Sequence, residues 1–434
     1  MSSNLETALA DYLSRDAVSH LINRAYPNIR HEVITDRFTS LVREFTSNFP
    51  ELPTHGIRFI STPGRTELGG NHTDHNLGRV VAASIEVDAL AAVLPTDDRV
   101  ARVKSEGFTE LFEVKIDENT PVPGENSTTA LLRGVISRFK ELGYQVGGFA
   151  AQVQSDVLPG SGMSSSAAIE VLFGTILSSL YNADTISSVQ LAKVGQFAEN
   201  KFMGKPCGLM DQIACATGGI VAIDFKNPSF PTIETIEADF QSFGYHLAIV
   251  NTGGSHADLT EAYASIPEEM QSVARLLNRE HLRGIELEAL LSAVPLLREK
   301  VGDRAILRSL HFIAENARAQ KQREALGSGD IERFLTLARE SAGSSWRLLQ
   351  NCVAPGKTTE QPLAAGIAIA EALLDGEGAV RVHGGGFAGT MQVFLPESKR
   401  THFVGEMETI FGPGCVTLTG VRQLGSVAFP ALFD

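Results

Sequence analysis

Asp156-Val-Leu-Pro-Gly-Ser-Gly-Met-Ser-Ser-Ser-Ala-Ala-Ile-Glu170 runs from a glycine-turned loop into the start of a helix. Gly160 and Gly162 admit backbone angles and close approaches that a Cβ would block. After the three serines, apolar residues recur at Ile169, Phe173, Ile176 and Leu180, which is helical spacing. A helix opening beside three hydroxyls offers its unpaired N–H groups and the positive end of its dipole to an anion. The hydroxyls can hold a metal or a phosphate oxygen. These are the parts of a nucleotide-triphosphate site. Two glycines, a proline and three serines in this order exceed what a serine-capped helix after a turn requires.

The rest of the chain suits such a site. With 434 residues and 43% hydrophobic composition, it can bury a sizeable core and reads as two domains. A formal charge of −14 without a long basic run disfavours a nucleic-acid partner or an anionic membrane surface. Cys207, Cys215, Cys352 and Cys415 form no CxxC pair and read as thiols of a reducing compartment. No apolar run resembles a signal peptide or a membrane span, so a cytoplasmic protein is expected.

Strand patterns occur at 56–61, 79–93, 100–104, 149–153 and 220–225, interleaved with helical patterns at 128–142, 166–181 and 187–201. The breaker cluster Asn227-Pro-Ser-Phe-Pro231 suggests a boundary near residue 235, dividing the chain into 1–235 and 236–434. Beyond it come a strand at 247–251, a mostly helical stretch over 267–374, and strands at 379–382 and 390–395. Both halves are α+β. Two apparent motifs fail on context. Pro355-Gly-Lys-Thr358 has Asn351 where a Walker A loop needs glycine, and the GxGxxG at Gly384, Gly386 and Gly389 leads into a strand where a dinucleotide fold needs a helix. The cluster His72, Asp74 and His75 matches no zinc spacing.

Four further segments are dense in glycine and functional groups: Pro63-Gly-Arg-Thr-Glu-Leu-Gly-Gly-Asn-His-Thr-Asp-His-Asn76, directly after a strand; Ala198 to Gln212, with Glu199 and Asp211 on either side of a turn; Asn251-Thr-Gly-Gly-Ser-His256, leading to Tyr263; and Arg381-Val-His-Gly-Gly-Gly-Phe-Ala-Gly389. Phosphoryl transfer needs alignment, neutralised phosphate oxygens, and a group that orients or deprotonates the attacking hydroxyl. Asp211 is the candidate base. Arg65 is the candidate for stabilising charge on the phosphate and on that carboxylate.

With these motifs in this order, from about residue 57 to the C-terminus, the chain resembles the GHMP small-molecule kinase superfamily and, within it, the galactokinase family. Cys207-Gly-Leu-Met-Asp-Gln212 is particularly galactokinase-like. The resemblance implies a ribosomal-protein-S5-like N-terminal domain, a ferredoxin-like C-terminal domain, and a site between them that phosphorylates the anomeric hydroxyl of a sugar with ATP. It implies that Asp211 and Arg65 are catalytic, and that Pro159, Gly160, Ser161, Gly162, Met163, Ser164, Ser165, Ser166 and Ala167 bind ATP. Magnesium would lie on Glu199 with one of Ser164, Ser165 and Ser166. Asn71, His72, Asp74, Gly208 and Tyr263 would bind the sugar, with the loop at Gly384, Gly385 and Gly386 closing over it. The expected partners are sugar and ATP, for a monomer or a homodimer.

The chain departs from the family pattern in places. The family motif Gly-Glu-His-Thr-Asp-Tyr-Asn reads Gly70-Asn-His-Thr-Asp-His-Asn76 here. Its glutamate binds the sugar's C6 hydroxyl, so an amide at 71 removes a negative charge there. A 6-carboxylate such as galacturonate becomes more tolerable, and a galacturonate or other modified-galactose kinase is the alternative. The family's paired arginines after Tyr263 and aromatic residues near 128–133 are also missing. An alternative of another class is a sugar and nucleotide sensor without turnover. Ser164 to Ala168, Asp211 and Arg65 together favour catalysis.

Overall fold

The computed structural model describes residues 2–125, 127–157, 162–205, 207–254 and 259–432. Three helices come first: α1 (Ser2–Ser14), α2 (Asp16–Ala25) and α3 (His31–Asn48). In α3, Ile34, Phe38, Leu41, Val42 and Phe45 are buried at helical spacing, making an apolar stripe that must find a cover. It finds one face of a sheet built from β1 (Arg58–Gly69), β2 (Arg79–Thr96), β3 (Val100–Ser105), β4 (Leu111–Lys115) and, after α4 (Ser127–Glu141), β5 (Gly148–Ser155). The other face is covered by α4 together with α5 (Ser165–Tyr181) and α6 (Ser188–Ala198). Strand alternation decides the sides, since Phe59 packs under α3 while Ile60 packs under the α4–α6 layer. Each such large side chain contributes about 1.5–3 kcal/mol on full burial.

β2 is long enough to serve two partners. Its end, Ala89 to Thr96, pairs with β5, and its start, Arg79 to Ala83, pairs with β6 (Ile220–Asp224), which follows the short helix α7 (Met210–Thr217). β7 (Thr232–Ile236) adds to β6. The pairing is antiparallel except for β3 with β5. The strand expected at 56–61 does not end there. β1 continues through Pro63-Gly-Arg65 to Gly69, so the first motif lies largely within a strand and not after it. The register against β2 shifts between Pro63 and Arg65, where Pro63 faces Asp88 but Arg65 faces Ser84. Such a bulge re-aims the side chains that follow it. Gly64 is needed there, because a Cβ would lie 2.9 Å from the Met163 carbonyl.

A second sheet, in the order β11-β8-β10-β9, begins at β8 (Tyr245–Asn251) and is completed by β9 (Ala379–Val382), β10 (Thr390–Pro396) and β11 (Val416–Thr419). Between β8 and β9 lie α8 (Thr260–Leu276), α9 (Leu287–Lys300), α10 (Asp303–Gly327), α11 (Ile331–Ser344) and α12 (Pro362–Leu374); α13 (Arg400–Phe411) follows β10. The chain then returns to the first sheet, where β12 (Val427–Ala428) pairs with Ile60 and Ser61 of β1. Fully buried Asp88 anchors this return, accepting from Arg422 Nη1 at 3.1 Å, Tyr26 at 2.6 Å and Arg37 at 2.5 Å. Burial opposes the charge, but the two arginines hold the Asp88 carboxyl below its usual range. Among the described residues no helix is long and apolar enough to cross a membrane, and all four cysteines are free.

Candidate active site

α10 fixes the first motif through polar groups on its buried face. His311, Glu315 and Gln322 are all 0% exposed. His311 Nε2 meets the Asn71 carbonyl at 2.9 Å, Glu315 Oε1 accepts from the Gly70 amide at 3.1 Å, and Gln322 Nε2 donates to the Leu68 carbonyl at 3.2 Å. The helix thus satisfies a loop backbone that burial would otherwise leave unpaired. Gly69 is required, since a Cβ would lie 1.9 Å from Gln322 Oε1. The chain then enters left-handed backbone at His72 (φ 56°), a costly conformation for a residue with a Cβ and one that clusters at functional sites.

Beyond this turn, Arg65, Asn71, His72, Asp74, Ser166, Glu199, Gly208, Asp211, Tyr263, Gly384 and Gly385 line one pocket. Asp211 stands in the first turn of α7. Arg65 grips it with two parallel bonds, Nε to Oδ1 at 2.8 Å and Nη2 to Oδ2 at 3.0 Å. Ser164 also donates to Asp211, and Arg65 to the Gly162 carbonyl. The Arg65 side chain is 7% exposed and that of Asp211 33%, so the carboxylate is the open member of the pair. Burial pushes the Asp211 carboxyl up, but Arg65 and Ser164 outweigh it and hold it below the usual range.

Ser164 takes left-handed backbone (φ 63°) before α5 starts at Ser165, and its side chain does not cap the helix, which suits first-turn amides that face an anion. Ser166, and not Ser165, reaches Glu199, Oγ to Oε1 at 3.0 Å. Glu199 is 2% exposed and opens a π-helical turn, Glu199–Met203, a geometry frequent at functional sites. It is therefore no residue of a polar helix face. Gln212 Nε2 bridges Glu199 Oε2 at 3.1 Å and Glu170 Oε2 at 3.0 Å. Burial and the neighbouring Glu199 push the Glu170 carboxyl well above its usual range. Met163 and Ala167 pack into an apolar cluster with Val157 and Ile213, so only their backbone is available to a nucleotide. Pro159, Gly160 and Ser161 lie outside the described residues.

At the other end of the pocket, burial lowers the His72 pKa to about 3, so the ring is neutral. Its Nε2 lies 3.0 Å from the Gly385 carbonyl, which assigns the proton to that nitrogen and leaves Nδ1 as an acceptor. Tyr263 packs on His72 with ring centroids 5.3 Å apart. It also lies where a Cβ on Gly385 would be, 2.6 Å from Cε2. Gly386 (φ 81°) leaves no room for a Cβ beside Asn351 and so shapes the loop.

Asn71 is fully buried and engaged on every side. Its Nδ2 donates to Gly384 O at 3.0 Å and lies 3.2 and 3.3 Å from the Glu67 oxygens, while Oδ1 accepts from Asn351 at 2.9 Å and Ser345 at 3.3 Å. Position 71 is uncharged, as the sequence expects, but a carboxyl stands beside it. Glu67, four residues earlier, brings a carboxyl to the same pocket wall, paired with buried Arg381 at 2.6 Å. The sequence reading also passed over Glu170, Gln212 and Lys205. A charge every few positions between Glu199 and Asp211 was the available signal for Lys205. The polar face of α10 showed only as His311, Glu315 and Gln322 at helical spacing.

Residues 43–95, which include β1 and most of β2, match the galactokinase galactose-binding signature, and residues 130–219 match the GHMP kinases N terminal domain. Among solved structures, the chain is similar to Lactococcus lactis galactokinase complexed with galactose, at 23% identity over 90% of this chain and 99% of that one, with a TM-score of 0.77. It is also similar to L. major mevalonate kinase in complex with R-mevalonate, at 15% identity over 86% and 98%, TM-score 0.57. A third is a D-glycero-D-manno-heptose 1-phosphate kinase from Bacteriodes thetaiotaomicron, at 14% identity over 86% and 99%, TM-score 0.58. At these identities the structural likeness establishes the α+β fold of GHMP kinases. Both matched segments wall the pocket, so the chain carries there a galactokinase galactose-binding signature and a GHMP kinase N-terminal domain.

Proposed function

We propose that the protein transfers the γ-phosphoryl group of ATP to the anomeric hydroxyl of galactose, with Asp211 and Arg65 at the point of transfer. The observation that carries this reading is the paired, one-third-open Asp211 carboxylate in a pocket shared with Asp74, His72, Gly208 and the start of α5. Asp211 accepts a hydrogen bond from the attacking hydroxyl and fixes its direction. With its pKa depressed, Asp211 is a weak base, which suits a loose transition state in which the proton leaves late. Arg65 faces both Asp211 and the oxygens of the transferred group. The backbone of 159–167 and the start of α5 cradle the phosphates.

Asp74, His72, Tyr263, Gly208 and Asn71 form the sugar end. The match of residues 43–95, which carry Glu67 and Asn71, to the galactokinase galactose-binding signature supports galactose above galacturonate. The residues near Glu199 suit magnesium, since Ser166 and Glu199 are hard oxygen donors. Among the described residues no group of three or more His, Cys, Asp or Glu side chains could hold a metal. When bound, that ion neutralises charge on the phosphate oxygens. The division at residue 235, a cytoplasmic location and a monomeric or homodimeric state belong to the same reading. Purified protein with magnesium and ATP, tested against galactose, galacturonate, N-acetylgalactosamine, glucose and mevalonate, should turn over galactose with the highest kcat/KM. Preference for galacturonate would refute the sugar assignment, and absence of any ATP-dependent product would favour a sensor.

A further inference from the structure

The Lys205 side chain is 57% exposed, yet its Nζ reaches inward to Oε1 of Glu199 at 2.8 Å, while the Glu199 side chain is 3% exposed. That oxygen also accepts from Ser166. One cation and one hydroxyl thus already stand on the atom where a divalent ion would bind. We propose that Lys205 is a tethered counter-ion that holds the Glu199 carboxylate until nucleotide-borne magnesium displaces it, an inference that rests on the kinase reading above.

Charge demands a cation at this point. Glu199 shares the single amide of Gln212 with Glu170, whose Oε1 has no hydrogen-bond partner among the described residues, and an uncompensated carboxylate buried there would be costly. Lys205 and a divalent ion both answer that demand, and at one oxygen they repel each other. The turn is built for exchange. The Lys205 amide donates to the Glu199 carbonyl at 3.1 Å, so the backbone is fixed to the residue it serves. The preceding Gly204 (φ 74°) faces open space, with nothing within 4 Å of a Cβ position. Only the flexible stem has to move. Once released, the ammonium remains at a pocket lined by Asp211, where incoming phosphate is the nearest new partner.

The test is binding of Mn2+ carried on a non-hydrolysable ATP analogue, followed by electron paramagnetic resonance on the whole protein. K205M should bind Mn2+ about threefold or more tighter than wild type, the range of a partly exposed ion pair. K205R should bind more weakly, because a guanidinium grips a carboxylate with two donors. E199Q should weaken binding in either background. If E199Q changes nothing, the metal-site reading fails and the counter-ion inference with it. If E199Q weakens binding but K205M does not tighten it, the counter-ion inference alone is overturned. Should K205M not fold, K205R decides, and unchanged Mn2+ affinity in it counts against displacement.

Discussion

Gly208→Ala isolates the sugar end of the site with a single methyl group. A Cβ built on Gly208 would lie 1.9 Å from Asp74 Oδ2 and 3.0 Å from its Cγ, whereas ordinary contact begins at 3.4 Å. The Asp74 oxygen must therefore retreat by about 1.5 Å, while the Gly208 φ itself suits alanine because it is not positive. The obstacle is the tip of a side chain, so the fold absorbs the change within about 0.5 kcal/mol. The sugar does not escape it, since a misplacement of about 1 Å costs on the order of 10²-fold in rate. We expect kcat/KM for galactose to fall by roughly that factor, with KM rising. The melting temperature and the KM for ATP should stay near wild type. A coupled assay on Gly208→Ala, Asp74→Ala and the double variant completes the test. If Asp74 carries the effect, the double variant is no worse than Asp74→Ala alone. Full activity in Gly208→Ala would refute the assignment of Asp74 and Gly208 to the sugar.

Asp211→Asn should reduce turnover about 10²-fold or more while sugar binding measured by calorimetry is retained; near-normal turnover would remove Asp211 from the chemistry. Because the ionised Asp211 is the working form and Arg65 holds its pKa down, kcat/KM for the sugar should stay level as pH falls from 8 to about 5. In Arg65→Met, burial is opposed only by Ser164 and Lys205, and the acid limb should move up by about 1–3 pH units; a limb that stays in place would detach Arg65 from Asp211. Asn71→Glu would set a second carboxylate where Asn71 Nδ2 stands 3.2 Å from Glu67, costing about 3 kcal/mol in urea unfolding. Adding Glu67→Gln should recover at least half of that loss, and wild-type stability in Asn71→Glu alone would show that the two positions do not share one charge.

The motifs were legible because each is local. The α5 start, the β6, β9 and β10 strands and the residues of the Glu199 to Asp211 turn could be read from spacing within a few turns of chain. What escaped was long-range or repetitive. The N-terminal helices carry an apolar stripe in α3 but no motif with chemistry to mark them. β1 was cut short at Pro63 because proline and glycine ordinarily break strands, whereas here they mark a bulge inside one. The partners of Asn71 could not be seen at all, since His311 and Asn351 lie 240 and 280 residues away in the chain. A departure at one motif position was thus interpreted without the Glu67 carboxyl beside it.

Charge pairing explains the division of labour in the pocket better than any single motif does. Four carboxyl groups line it: Glu67, Asp74, Glu199 and Asp211. Buried carboxylates need partners, and three have one, Glu67 with Arg381, Asp211 with Arg65 and Glu199 with Lys205. The first two cations are arginines at 1% and 7% side-chain exposure, held by further bonds to the Glu67 and Gly162 carbonyls, so they are fixtures. The third is a lysine on an exposed stem, so it can leave. Asp74 has, among the described residues, no arginine or lysine partner: Oδ1 accepts from the His75 amide at 3.0 Å and lies 3.7 Å from that ring, leaving Oδ2 open. Its acceptor capacity is therefore free for uncharged donors, which is what a sugar's hydroxyls supply. The fixed pairs hold shape, the exchangeable pair admits a cation, and the unpaired carboxyl group reads the sugar.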